Sequence, residues 1–162
     1  MTLTIRLASP DEYDEVGALT AGAYLADGLV PPGSGYDAVL RDAAGRAEKA
    51  ELWVAVDTDR LLGTVTFCPP GSPCREIGTD REGEFRMLAV APEARGVGVG
   101  DLLTRHCIER SRELGQDAVV LSSSSAMAAA HRLYTRLGFV RLPARDWSPV
   151  AGVQLLAFTL DL

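Results

Sequence analysis

Residues 84–115, "EFRMLAVAPEARGVGVGDLLTRHCIERSRELG", decide the reading of this chain. The stretch opens as an apolar strand, "EFRMLAVA" (84–91), that Pro92 stops. A helix is expected from about Gly98 to Leu114, closed by Gly115 just past its end. Between them Gly96, Gly98 and Gly100 alternate with valines. Glycine in a regular element is destabilising by roughly 0.5–1 kcal/mol relative to alanine, so this corner must need bare backbone. The first N–H groups of a helix have no intrahelical acceptor, and the aligned peptide dipoles place about half a positive charge there. Glycines let a bulky polyanion approach those amides, and Arg95 adds a cation at the same end. A diphosphate suits such a corner. The motif is neither a dinucleotide fingerprint, because the third glycine comes one position early and Asp101 follows, nor a P-loop, because no lysine follows the glycines. A turn chosen only for tight strand–helix packing is the alternative.

Outward from this stretch, strand and helix patterns alternate. "LTIRLA" (3–8) reads as a strand with Leu3, Ile5 and Leu7 on one face. Ser9, Pro10 and Glu12 form a capping-box start to a helix carrying Tyr13, Val16, Leu19 and Tyr24. "LVPPGSGYD" (29–37) breaks regular structure, and "AVLRDAAGRAEKA" (38–50) resumes it as a shorter helix. "ELWVAVD" and "RLLGTVTFC" form a hairpin about Asp57, Thr58 and Asp59. A Pro- and Gly-dense loop (69–83) leads into the strand at 84. After the long helix come a strand, "AVVLS" (118–122), a helix, "AMAAAHRLYTRL" (126–137), and two strands around the loop "PARDWSPVAG". Without repeats or a linker, this describes one α/β domain spanning 1–162.

The 162 residues suffice to bury a core. Sixteen Lys and Arg against 22 Asp and Glu give a net charge of −6, which disfavours a broad phosphate footprint and so excludes nucleic acid as the expected partner. No apolar run approaches the roughly 20 residues of a membrane span, and "MTLTIRLASP" lacks the pattern of a signal peptide. Cys68, Cys74 and Cys107 are odd in number and lack metal-ligand spacing. Reduced thiols in a cytoplasmic protein without a metal are the expectation.

The stretch 84–115 resembles the central motif of the GNAT superfamily of acetyl-CoA-dependent N-acetyltransferases: an acidic residue opening a strand, an apolar strand ending in valine, then [QR]-x-x-G-x-[GA] entering a helix. Here the last part is Arg95-Gly96-Val97-Gly98-Val99-Gly100. "AAAHRLYTRLGFVRL" (128–142) is similar to the second motif, A-x-x-x-Y-x-x-x-G-F, through Ala130, Tyr134, Gly138 and Phe139. The order of elements fits along nearly the whole chain. The resemblance implies a mixed, largely antiparallel sheet with helices on both faces and splayed central strands. It implies acetyl-CoA as co-substrate, with residues 95–101, from Arg95 to the N–H of Asp101, cradling the pyrophosphate. Leu88, Ala89 and Val90 would pair with the pantetheine arm, and a backbone N–H near Val90 would hold the acetyl oxygen as it gains charge.

The implied chemistry is attack of an amine on a thioester. A lysine-like amine has a pKa near 10.4, so deprotonating it at pH 7 costs roughly 4–5 kcal/mol. Glu84 occupies the position of the family's base, acting directly or through water; a solvated strand-end glutamate is the plainer alternative. Tyr134 stands where the family places its general acid, with core packing as its alternative. No cysteine has the position of an acyl carrier, so direct transfer in a ternary complex is expected. Met127 replaces an asparagine common in relatives. Ser124 or Ser125 is expected to cap the following helix, and His131, His106 and Cys107 to stay out of the chemistry. Trp53 reads as packing or slot wall. The acceptor, a small-molecule or peptide amine, would be chosen by Tyr24–Tyr36 and the loop near Trp147; Asp27 and the net acidity suit a cationic one. A homodimer is compatible with this reading. Two alternatives stay open: an acyl-CoA-binding module without turnover, and an interaction or dimerisation domain with an empty cleft.

Overall fold

The computed structural model describes residues 2–30 and 34–162. One seven-stranded sheet runs β1 (Leu3–Leu7), β2 (Glu51–Asp57), β3 (Arg60–Cys68), β4 (Glu82–Val90), β5 (Ala118–Ser124), β7 (Leu155–Asp161) and β6 (Val140–Arg141) in spatial order. Every neighbouring pair is antiparallel except β4 and β5. Helices α1 (Tyr13–Ala26), α2 (Gly35–Arg41) and α3 (Ala43–Lys49) precede the β2–β3 hairpin; α4 (Val99–Glu113) and α5 (Ala128–Arg136) flank β5 in the chain.

Period-two alternation sends side chains to two cores. On one face Val99, Leu103 and Cys107 of α4 and Tyr134 of α5 pack with Val65, Phe67, Phe85 and Leu121 of the sheet. On the other, Val16 of α1 and Ala43 of α3 pack with Leu52, Val54 and Val56 of β2. Fully burying such a side chain contributes about 1.5–3 kcal/mol, which outweighs the glycine-weakened entry to α4.

Several boundaries differ from the sequence reading. The helix expected over 38–50 is two helices, because Asp42 leaves the helical region (ψ 65°) and its carboxylate caps α3 by accepting from the Gly45 N–H at 3.0 Å. Leu7 keeps the face of Leu3 and Ile5 in the unbroken β1–β2 register, but at the end of the strand it is exposed. The capping contact at Ser9 is present, its N–H donating to Glu12 Oε1 at 2.8 Å, but it opens a 3-10 turn that leads into α1. The break expected at 29–37 has its middle, 31–33, outside the described residues.

Two irregularities place the site. β4 and β5 pair only from Glu82–Ala118 to Glu84–Val120, then diverge as β4 continues to Val90. On its other edge β4 carries a bulge: the register passes from Thr66–Arg86 to Thr64–Ala89, so Met87 and Leu88 stand against Val65 alone. Met87 sits at φ +53°, a left-handed conformation uncommon outside glycine. Bulges bend a strand and sharpen its twist, and this one turns the end of β4 away from β5. The sheet is splayed at its centre.

Candidate active site

The gap opens into a cleft of about 680 Å³, within the roughly 300–1,000 Å³ usual for small-molecule sites. The end of β4, the glycine corner, the start of α5 and the C-terminal end of α1 surround it. Leu88, Ala89, Val90, Arg95, Gly96, Gly98, Val99, Gly100 and Asp101 all line it. Val97, the remaining residue expected to hold the cofactor, is exposed and does not line the cleft.

The corner is built as an anion cradle. Gly96 and Gly98 have φ of +81° and +89°, which an L side chain would strain. Gly98 is the N-cap of α4 without any side-chain cap. Leu102 is the first residue whose N–H returns to the Gly98 carbonyl, at 3.0 Å. The amides of Val99, Gly100 and Asp101 therefore precede the helical ladder and have no acceptor within it. A Cβ on Gly100 would make only ordinary contacts, 3.4 Å from Leu133 and 3.7 Å from Val90. Internal packing does not require that glycine. The bare amides face the cleft, and their dipoles favour a phosphate there.

Charge at this end is shared among pairs. Arg95 is held in a fork by Asp27, at 2.7 and 3.1 Å, so Asp27 stands beside the glycine corner. The expectation that Asp27 suits a cationic acceptor is corrected by that pairing. Asp101 is held by Arg105 at 2.6 Å, with Arg136 at 3.8 Å. Arg132 and Arg136 also line the cleft and escaped the sequence reading. Their signal was there: residues 128, 132 and 136 recur every four positions on one face of α5.

Glu84 lies where the strands part, as the last β4 residue paired with β5. It is fully buried and does not line the cleft. Oε2 accepts from the Glu76 N–H at 3.0 Å and Oε1 from the Gly78 N–H at 2.8 Å, with the Ile77 N–H within 3.4 Å of both. A solvated strand-end glutamate is excluded. Both oxygens hold the 76–78 loop rather than reaching the cleft. The two carboxylates lining the cleft, Asp27 and Asp101, are both ion-paired to arginines.

Tyr134 is buried, its ring packed at a steep angle against Phe85, Phe139 and Phe158 with centroids 5.8–6.0 Å apart. Burial pushes its phenol well above the ordinary tyrosine value, so it remains protonated and is available as a donor. Its α5 neighbours Ala130 and Leu133 line the cleft; Tyr134 itself does not.

Further along, Met127 lines the cleft and receives a contact from Ser123 Oγ at 3.7 Å. No serine caps α5; its N-cap is Met127, and Ser124 Oγ instead accepts from the Ala126 N–H at 3.3 Å. The Trp147 indole donates to Ser122 Oγ at 3.1 Å, tying the late loop to β5. His131 Nε2 lies 3.1 Å from Ser123 Oγ, and burial lowers its pKa. His106 packs against Trp53 with ring centroids 4.1 Å apart. Cys68 and Cys107 are buried, and no cysteine lines the cleft. Among the described residues no cluster of His, Cys, Asp and Glu could hold a metal, and no helix is long and apolar enough to cross a membrane.

A mixed sheet split at its centre, with a bare helix mouth beside the split, defines the class of this α/β fold. The chain belongs to the acetyltransferase (GNAT) family, whose pattern matches residues 23–139. It is 36% identical over 107 residues to a mycothiol acetyltransferase of Geodermatophilus obscurus, a match covering 65% of this chain and 33% of that protein. It is 34% identical over 92 residues to N-alpha-acetyltransferase 30 of Schizosaccharomyces pombe, covering 55% and 57%. The chain thus spans about a third of the first relative and just over half of the second. Its fold is that of a GNAT-family acetyltransferase from Staphylococcus aureus, with a TM-score of 0.78, 13% identity and 99% of each chain covered. It is also that of yncA, a putative acetyltransferase from Salmonella typhimurium solved with acetyl-CoA, with a TM-score of 0.70, 23% identity and coverage of 100% and 95%.

Proposed function

We propose that this chain transfers the acetyl group of acetyl-CoA to a primary amine, directly and in a ternary complex. The observation that carries the reading is the amide-lined helix mouth opening beside the gap between β4 and β5. The yncA structure, of the same fold and solved with acetyl-CoA, supports the choice of co-substrate. Acetyl-CoA would supply an activated thioester. The amides of Val99, Gly100 and Asp101 would hold its pyrophosphate, with Arg132 and Arg136 adding cations. Leu88, Ala89 and Val90 would offer main-chain partners to its amide-bearing arm, as a sheet edge accepts an added strand. A backbone N–H near Val90 would donate to the acetyl oxygen as it gains charge.

Tyr134 would donate to the departing sulfur. Its phenol is held protonated by burial, which suits donation and forbids service as a base. Glu84 we assign to holding the 76–78 loop beside the vertex of the split, so that the amine loses its proton to water rather than directly to this carboxylate. The absence of a cysteine from the cleft lining supports transfer without an acyl-enzyme.

A panel of amines assayed by thiol release from acetyl-CoA tests the reading, and amine-dependent release at a rate above hydrolysis is expected. One observation favours a second reading, acyl-CoA binding without turnover: the sealed Glu84 leaves no unpaired carboxylate on the cleft. Strong thermal stabilisation by acetyl-CoA, about 2.7 kcal/mol at 100 times its Kd, with no release for any amine, would select that second reading. No stabilisation at all would remove both.

A further inference from the structure

A second, smaller cavity of about 180 Å³ lies on the α1–α3 side of the sheet, bounded by Arg46 and Lys49 of α3, Asp42 before it, Cys74 of the long loop, and Arg86 and Met87 of β4. Nothing in the proposed transfer uses it. Arg46 is 93% buried, with a relative exposure of 7%. Its Nη1 donates to the Val39 carbonyl at 2.8 Å. Its Nε and Nη2 are enclosed without a partner among the described residues. A buried, charged donor left unpaired is expensive, and native interiors rarely tolerate two on one side chain.

The two orphans are not scattered. Nε and Nη2 form one edge of the guanidinium, where two parallel N–H bonds match the two oxygens of a carboxylate. This chain uses the same edge elsewhere: Arg110 binds Glu51 through Nε and Nη2 at 2.9 and 2.8 Å, and Arg81 binds Asp117 in the same way. At Arg46 the fork is present and the carboxylate is not. Charge around the cavity agrees. Arg86 is neutralised by Glu76 at 3.0 Å, and Asp42 stands against Arg46 and Lys49, leaving one positive charge in excess. Desolvation lowers the Arg46 pKa, in keeping with a buried cation that lacks its counter-ion.

We propose that this cavity is a binding site for a small carboxylate, received by the Nε–Nη2 edge of Arg46 and attracted by Lys49 at the exposed rim. Entry requires a shift of the rim side chains, since the two nitrogens are closed off as they stand. The carboxylate belongs either to a free acid or to the amine acceptor itself. The second case rests on the acetyl-transfer reading, and Met87 in the cavity wall adjoins Leu88 of the cleft.

The test is made without acetyl-CoA or turnover, so its failure is distinct from failure of the enzyme reading. The full chain is titrated with acetate, with acetamide and chloride at matched ionic strength as controls, and the arginine Nε–H resonances are followed by NMR. A saturable shift of the Arg46 signal by acetate alone is expected. Arg46→Lys, which keeps the charge but loses the fork, should weaken binding roughly tenfold. Since Arg46 also ties down Val39, Lys49→Glu serves as the variant at an exposed position, and it too should weaken binding several-fold. No acetate-specific shift in the wild type, or equal affinity in both variants, overturns the proposal. Among active amines, a raised KM in Lys49→Glu only for those bearing a carboxylate, with acetate competing against them, assigns the site to the acceptor. Acetate binding that leaves their KM unchanged assigns it to a free acid.

Discussion

The two ends of the gap in the sheet are made of different material. The glycine-corner end is led by main chain: three amides at a helix mouth and two left-handed glycines, with the charged side chains around them largely paired to one another. The opposite end is side chain: Glu84 pinned under a loop, Glu76 paired with Arg86, and Tyr24 tilted against Tyr36 with centroids 6.5 Å apart. Burial pushes both Tyr24 and Glu76 above their ordinary values, Glu76 against the pull of Arg86. On the proposed function, a site made of amides would recognise what every acyl-CoA shares. One made of buried side chains discriminates, because each unmatched polar group there counts against the wrong partner.

The largest test of that division falls between the ends, on α5. Tyr134→Phe keeps the ring packing and removes the donor, so kcat should fall roughly 100-fold with acetyl-CoA affinity unchanged, as measured by steady-state kinetics and calorimetry. An unchanged kcat would leave Tyr134 as packing alone. The glycine-corner end breaks through its backbone. Gly98→Ala forces a side chain to φ +89°, a strain of about 1–2 kcal/mol that should weaken acetyl-CoA about tenfold or lower stability by a like amount.

On the side-chain end, Glu84→Gln exchanges an acceptor oxygen for an amide donor facing backbone N–H groups, so it should cost about 1–3 kcal/mol and lower the Tm by several degrees. A large loss of kcat at unchanged Tm would instead return Glu84 to the role of base. Alkaline titration reads the same packing. The phenols of Tyr24 and Tyr134 are raised by burial, whereas unfolded ones ionise near 10. The unfolded chain therefore loses protons first, and stability present below about pH 10 declines as pH rises above it, visible as a falling urea midpoint. The smallest effect is expected at Asp27→Asn. It removes a half-exposed pair that contributes under about 1 kcal/mol, and it frees Arg95, so acetyl-CoA should bind a few-fold tighter, more so at low salt.

Legibility followed the same line. Gly96, Gly98 and Gly100 announce a backbone requirement, and nine of the ten residues expected at the cofactor line the cleft. Arg132 and Arg136 were readable from their four-residue spacing once α5 was placed. The environments of Glu84 and Arg46 were not. Both depend on which loop covers which strand: residues 76–78 fold back onto Glu84, and the interruption at Asp42 turns α3 so that Arg46 points inward.

The sequence by itself determined the order of strands and helices, the helix mouth and the family, because local periodicity and glycine placement act over a few residues. Tertiary structure alone decided where β4 leaves β5, that Asp27 serves Arg95, and that Glu84 and Arg46 are sealed. Those outcomes depend on contacts between residues distant in the chain, where burial rather than residue type sets what a charged group can do.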